Sequence, residues 1–499
     1  MASMFDDWMN PIAVKEFRQA VQNRLVIGVL MLFLLVNVCA VGGFVLLSPN
    51  IILRHGGNTV FAMLTSILLT TCLGFVPLYA CIRLSFERSK ENVDLYFSTL
   101  LTPGAVVRGK YFAAMALTML IYSACMPFMT LTYLLRGIDL PTIFLILASG
   151  FLLCAAANAV GVLAGSVQGS WFQRVQLFVW MLVVVPYLAV GMYVWSSKIL
   201  RSGMGWALSD WAEIGFYLLL AIMAIGMLHI LAIAALSHKA SNRMMLVRLY
   251  LMACWAILGA IAVWILHQFS SAEILAGWTY GSATVFSIML EAVLAERDDW
   301  SPRVQKHIPR RTWLRIPAFL VFTGSAGGLL WCTLLFGATI AITWGCLGST
   351  QELPISLPMA FNDSFTPLLT IFGYLLCYSL TAVVIRTYFL KHMALDRLPG
   401  IVFILSLVMS LGPCLIAFFI SGVHEEWQHR VPMLLLGSPF VLATGNEAAI
   451  TAAQCFLIVW LLIVLLACLP WAVGQWRRFR PYVIHNSVPS KSCHLLSPR

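Results

Sequence analysis

Long apolar runs alternate with short polar stretches along the whole chain, and twelve of the runs are long enough to cross a bilayer. A crossing takes about 20 residues for a hydrocarbon core of about 30 Å. The runs lie at 25–47, 60–82, 111–135, 141–167, 175–195 and 213–236, then at 249–266, 273–295, 318–343, 366–389, 401–421 and 451–473. They are unbroken, whereas barrel strands alternate in polarity, so the pattern predicts helices. The expected fold class is all-α: a polytopic integral membrane protein of about twelve transmembrane helices.

Composition agrees with the pattern. Hydrophobic residues make up 61% of the chain, charged residues 10%, and mean hydropathy is +0.90. A soluble domain has roughly half its residues apolar and about a quarter charged, so lipid must solvate much of this one. The formal charge of +11 is spread thinly over the loops. It forms no single basic face, and no nucleic-acid partner is expected.

The Lys and Arg residues orient the spans. With the N-terminus in the cytoplasm, the inside segments hold 26 of the 31 basic residues and the outside loops hold 5. That bias follows the positive-inside rule, places both termini in the cytoplasm and requires an even number of spans. The first run is longer than the apolar core of a signal peptide, so no cleavable leader is expected. The 13 cysteines contain no C-x-x-C, and most of them lie within apolar runs, where Cys acts as a small hydrophobe.

Two polar stretches carry more detail. Asn10-Pro11 is a helix start, with an Asn cap and Pro at the first helical position. Val14, Phe17 and Val21 then recur at helical spacing, with Lys15, Arg18 and Gln22 on another face. This pattern fits a helix lying in the headgroup layer, and equally a solvated lead-in to the first span. Between the second and third runs, residues 83–110 form a charged loop that cannot enter lipid. Residues 85–96 can form a charged helix, and Thr102-Pro103 caps a second helix that carries Val106, Val107 and Lys110 towards the third run.

Asn10-Pro11, the basic helix through Lys15-Glu16-Phe17-Arg18, a first span, and Glu87-Arg88 leading to Thr102-Pro103 and Gly109-Lys110 occur here in that order. This arrangement resembles the permease subunits of ATP-binding cassette type-2 transporters over residues 10–236. The resemblance implies an interfacial elbow helix carrying Asn10, Pro11, Lys15, Phe17 and Arg18. It also implies an ATPase-coupling loop carrying Glu87, Arg88, Glu91, Asp94, Thr102, Pro103, Gly109 and Lys110. The implied function is that of an exporter's membrane subunit in the bacterial cytoplasmic membrane. Its implied partners are a cytosolic ABC ATPase, the lipid bilayer, and a second permease or a homo-oligomer. No cofactor is expected on this chain, and ATP acts through the ATPase.

The chain then divides into an elbow segment (1–24), a six-span half (25–236) containing the coupling loop 83–110, a linker (237–248), a second six-span half (249–473) and a basic tail (474–499). The second half is either a degenerate parallel repeat or an unrelated six-span extension. Glu296 to Arg303 falls where Glu87-Arg88 falls in the first half. Residues 431–444, with a Ser438-Pro439-Phe440 turn, are apolar but short for a crossing, like the re-entrant helices of that family.

Other chemistry is thinly represented. No G-x-x-x-x-G-K-[ST] occurs; Gly324-Ser325-Ala326-Gly327-Gly328 has no following Lys and lies in a run, where small residues serve helix packing. ATP hydrolysis is therefore assigned to another chain, and neither catalytic nor metal-ligating residues are expected in this one. His424-Glu425-Glu426 with His429 is an outside loop of ordinary polarity. The polar residues within runs that could meet a substrate are Asn37, Asn158, His229 and Glu291. The alternative is an ATPase-independent carrier or a lipid-linked glycosyltransferase. The latter usually has a carboxylate in its first outside loop, and residues 48–59 contain none.

Overall fold

A computed structural model describes residues 11–47, 49–87, 102–134, 138–166, 191, 208–238, 241–269, 273–294, 296, 298, 300–349, 356–390, 435–444 and 446–482, with scattered positions between 400 and 416. Every regular element among them is helical. Nine of the described helices are long and apolar enough to cross a membrane, so the chain is a multi-pass, all-helical membrane protein. The contacts divide it into two units. The first comprises residues 1–238, 243–282 and 339–360, and the second residues 239–242, 283–338 and 361–499.

In the first unit, α1 (Pro11–Val21) precedes α2 (Arg24–Leu47). Gln22 and Asn23 separate them, the Asn23 side-chain oxygen accepting from Leu25 N at 3.0 Å. Then come α3 (Pro49–Glu87), α4 (Pro103–Leu134), α5 (Leu140–Ser166), α6 (Leu208–Leu236), α7 (Arg243–Phe269) and the start of α8 (Glu273–Leu294). Helix α3 packs on α4 and α5, α5 on α6, and α6 on α7. Phe61, Leu64, Leu68 and Val76 of α3, Leu117 and Ile121 of α4, and Ile146 and Val162 of α5 share one core. Met31, Leu32 and Leu35 of α2 are exposed, as lipid-facing side chains are.

The tightest approach in that core uses glycine. Ala157, Gly161 and Gly165 stand four residues apart on α5, a small-residue stripe of the kind that lets membrane helices close on each other. A Cβ on Gly161 would lie 2.8 Å from Pro77 Cα, and one on Gly165 would lie 2.8 Å from the Cys81 carbonyl oxygen. Side chains at these positions would push α3 and α5 apart. Farther along, Trp255 Nε1 donates to Thr339 Oγ1 at 2.9 Å, and the Thr279 and Thr343 hydroxyls meet at 2.9 Å.

The second unit contains a one-turn helix α9 (Pro302–Gln305), then α10 (Thr312–Val321). Most of α11 (Ser325–Ser349) follows, then α12 (Ser356–Val384) running into a π-helical turn at Ile385–Phe389. A 3-10 turn at Pro439–Thr444 and α13 (Glu447–Arg478) complete it. The rings of Phe336 and Phe372 stack with centroids 3.7 Å apart. The segment anticipated as re-entrant is described from residue 435, where the turn at Ser438-Pro439-Phe440 forms and Phe440 N donates to Ser438 Oγ at 3.3 Å. Tyr374 and Tyr378, both fully buried, donate their hydroxyls to the carbonyls of Leu436 and Gly437 at 2.6 and 2.7 Å. Irregular backbone away from water needs such donors.

Several boundaries differ from the expectation. The run at 318–343 is not one helix: α10 ends at Val321 and the crossing helix α11 begins at Ser325. Buried carboxylates cause the break. Glu296 accepts from Gly324 N at 2.8 Å, and one oxygen of Asp298 accepts from Ser325 N at 2.9 Å and Ser325 Oγ at 2.7 Å. They satisfy the orphan N–H groups of a helix start from 27 to 28 positions upstream. The run at 273–295 forms helix α8 but is not among the nine, being diluted by Gly, Ser, Thr and Glu. The run at 175–195 and most of that at 401–421 lie outside the described residues.

Candidate functional site

The charged loop and the N-terminal helix meet in an ion-pair knot within the first unit. Helix α4 is continuous from Pro103 to Leu134, 32 residues, about 12 more than a crossing needs. Thr102 starts it: Ala105 N reaches Thr102 Oγ1 at 3.3 Å, and Pro103 takes the first helical position, where its missing N–H costs nothing. Over the next two turns Val106, Val107, Gly109 and Lys110 are buried. The expected second helix of the loop is thus the first part of the third span, not a separate short element.

Helix α1 packs against this part of α4. Its buried residues are Ala13, Glu16 and Ala20, which share one helical face. Two alanines on that face let the helix backbones come close, and Glu16 stands between them. Val14 and Phe17 are only half-buried, Val21 is exposed, and Lys15 and Arg18 are exposed. Of its larger apolar side chains Val21 is exposed and Val14 and Phe17 are partly so, which fits a helix with protein on one side and lipid beside it.

Lys110 is the centre of the knot, with a side chain only 5% exposed. Its Nζ lies 3.1 Å from Glu16 Oε1 and 2.6 Å from Glu87 Oε2 at the end of α3. The second oxygen of Glu16 lies 3.6 Å from Arg83 Nη2, which also donates to Gln19 Oε1. Two carboxylates and two cations thus close a balanced chain across α1, α3 and α4. A buried ion of this kind is tolerable only while its partners stay in place. The knot therefore locks both flanks of residues 88–101 to each other and to the N-terminal helix.

Of the coupling-loop residues, Glu87 and Lys110 come together here, Thr102 and Pro103 start the helix, and Gly109 is buried one residue before Lys110. Pro11 is the first residue of α1. Asn10, Arg88, Glu91 and Asp94 lie outside the described residues. The sequence reading missed Glu16, Gln19 and Arg83 as members of the site. A signal for Glu16 was available, as it is the sole acid of α1 and lies on the face of Ala13 and Ala20.

Asn158, Asn37 and His229 are engaged in packing, and Glu291 is part-buried on α8. Asn158 Nδ2 donates to Thr118 Oγ1 at 2.9 Å, joining α5 to α4, and Asn37 Nδ2 donates to the Phe33 carbonyl of its own helix at 2.7 Å. His229 packs edge-on against Tyr111 with ring centroids 4.5 Å apart. Among the described residues no group of three His, Cys, Asp or Glu side chains is placed to hold a metal ion; His424, Glu425, Glu426 and His429 are outside them. Comparisons with family models, with curated proteins and with solved structures found no match.

Proposed function

We propose that this chain is the membrane permease subunit of an ATP-binding cassette type-2 transporter, an exporter in the bacterial cytoplasmic membrane, driven by a separate cytosolic ATPase. The observation that carries this reading is the Glu16–Lys110–Glu87 knot with Arg83. A permease must receive work from an ATPase at one cytoplasmic point and pass it to several helices. The end of α3 and the start of α4, which flank the coupling loop in the chain, are clamped together and to α1. A push on that loop displaces three helices as a unit, because packed elements and ion-pair networks move between discrete arrangements instead of deforming continuously. ATP enters through the partner, and both termini of the permease face the cytoplasm.

The test is reconstitution in proteoliposomes with an ABC ATPase that copurifies with the chain. The wild-type chain should raise the ATPase rate. Reversing Glu87 and Arg88 to Lys and Glu should remove most of that stimulation while membrane insertion is unchanged. Hydrolysis of ATP by the isolated chain would refute the assignment. Failure to bind any ATPase would move the weight to an ATPase-independent carrier.

A further inference from the structure

We infer that α10 is an interfacial helix that seats the second unit on anionic phospholipid headgroups of the surrounding membrane. The inference rests on an asymmetry of charge and apolarity in the stretch between α8 and α11. Helix α10 has 10 residues, about 15 Å of helix, half of what a crossing needs. One of its faces is fixed to protein. Phe319 packs edge-on against Trp476 and Phe479 at centroid distances of 5.3 and 5.4 Å. The Arg315 guanidinium lies 4.9 Å from the Trp476 ring centroid and donates to the Trp476 carbonyl at 3.1 Å. The end of α13 therefore dictates which way α10 faces.

The opposite face is apolar and turned outward. Trp313 is 65% exposed and Ile316 56%, with exposed Pro317 beside them. A tryptophan in that position, amphipathic and on a helix directly preceding a span, is the residue type enriched at membrane–water interfaces. Charge completes the match. Between Ser301 and Ser325 there is no Asp or Glu, while Arg303, Lys306, Arg310 and Arg311 are all exposed. The nearest described acids upstream, Glu296 and Asp298, are buried and hold the start of α11. The two described acids are buried whereas these four bases are exposed, so the surface offered is cationic beside an apolar ridge. That combination fits an anionic headgroup layer and the acyl boundary beneath it.

The experiment uses the full chain in nanodiscs and reads two signals. Amide exchange over residues 303–321 should be roughly fivefold slower in discs containing phosphatidylglycerol than in pure phosphatidylcholine discs, since basic residues near a charged surface add to its binding. Arg310→Glu with Arg311→Glu should abolish that difference while exchange in α5 is unchanged. Brominated phosphatidylglycerol should quench wild-type fluorescence more than that of Trp313→Phe. Equal exchange in both lipids, or equal quenching of the two proteins, would overturn the inference. So would equally strong protection in detergent with no lipid, because that would mean a second copy or another protein covers the face. None of these readouts involves an ATPase, so they stand or fall separately from the permease assignment.

Discussion

Glu16 and Lys110 are separated by 94 positions and meet at 3.1 Å in a site nearly closed to water. The pair joins the helix before the first span to the helix that opens the third, and Glu87 shares the same ammonium group at 2.6 Å.

Removing the cation should therefore cost more than a surface ion pair does. Lys110→Met leaves Glu16 and Glu87 facing one another with no shared partner. The expected loss of stability is roughly 2 kcal/mol or more, a value reduced because Glu87 and Arg83 keep some access to water. Thermal unfolding in detergent measures it. Lys110→Arg should recover most of the loss, and equal Tm values for Lys110→Met and wild type would show that the knot holds nothing.

The contact between α3 and α5 makes a sharper steric prediction. Gly161→Ala places a Cβ 2.8 Å from Pro77 Cα, and backbone cannot step aside as a flexible side chain can. A destabilisation of about 1–3 kcal/mol is expected from overpacking. Gly28→Ala is the control, since a Cβ there meets nothing within 4 Å. The two variants should separate clearly in unfolding temperature, with Gly28→Ala at or above wild type.

Asp298 gives a prediction local to one helix end. Asp298→Ala frees both Ser325 N–H and Ser325 Oγ and leaves Gln475 Nε2 without its acceptor at 3.2 Å. A cost of about 1–3 kcal/mol follows from unmade buried hydrogen bonds. Hydrogen exchange should rise in the first turn of α11 and leave α5 unaltered. Unchanged exchange at Ser325–Gly328 would mean the carboxylate is not the cap.

The basic asymmetry of 26 against 5 predicts the topology. Reporter fusions after Arg88, Arg248, Arg311 and Lys391 should report the cytoplasm, and fusions after Asn58, Ser202 and Glu352 the outside. Two neighbouring sites reporting one side would change the number of spans.

The permease reading draws on the resemblance and on the knot. The membrane class does not depend on it. The nine apolar helices among the described residues follow from side-chain hydrophobicity and the need of backbone N–H and C=O groups for partners in lipid. That requirement is local, and local patterns are legible along a chain. For the same reason Thr102-Pro103 could be read as a helix start.

What the sequence by itself determined, then, was whatever one stretch decides alone: the helical character of the spans, the approximate positions of most of the described ones, the helix start at Thr102-Pro103 and the charge bias of the loops. Tertiary structure decided everything that needs two distant stretches. Glu16 reads as one more polar residue of a basic helix until α4 brings Lys110 to it. The run at 318–343 reads as continuous until Glu296 and Asp298 reach the N–H groups of Gly324 and Ser325. Gly161 is one small residue among many until Pro77 is laid against it. Hydrophobicity is a property of each side chain, whereas an ion pair, a remote cap or a close approach belongs to two places at once, and packing alone selects which two.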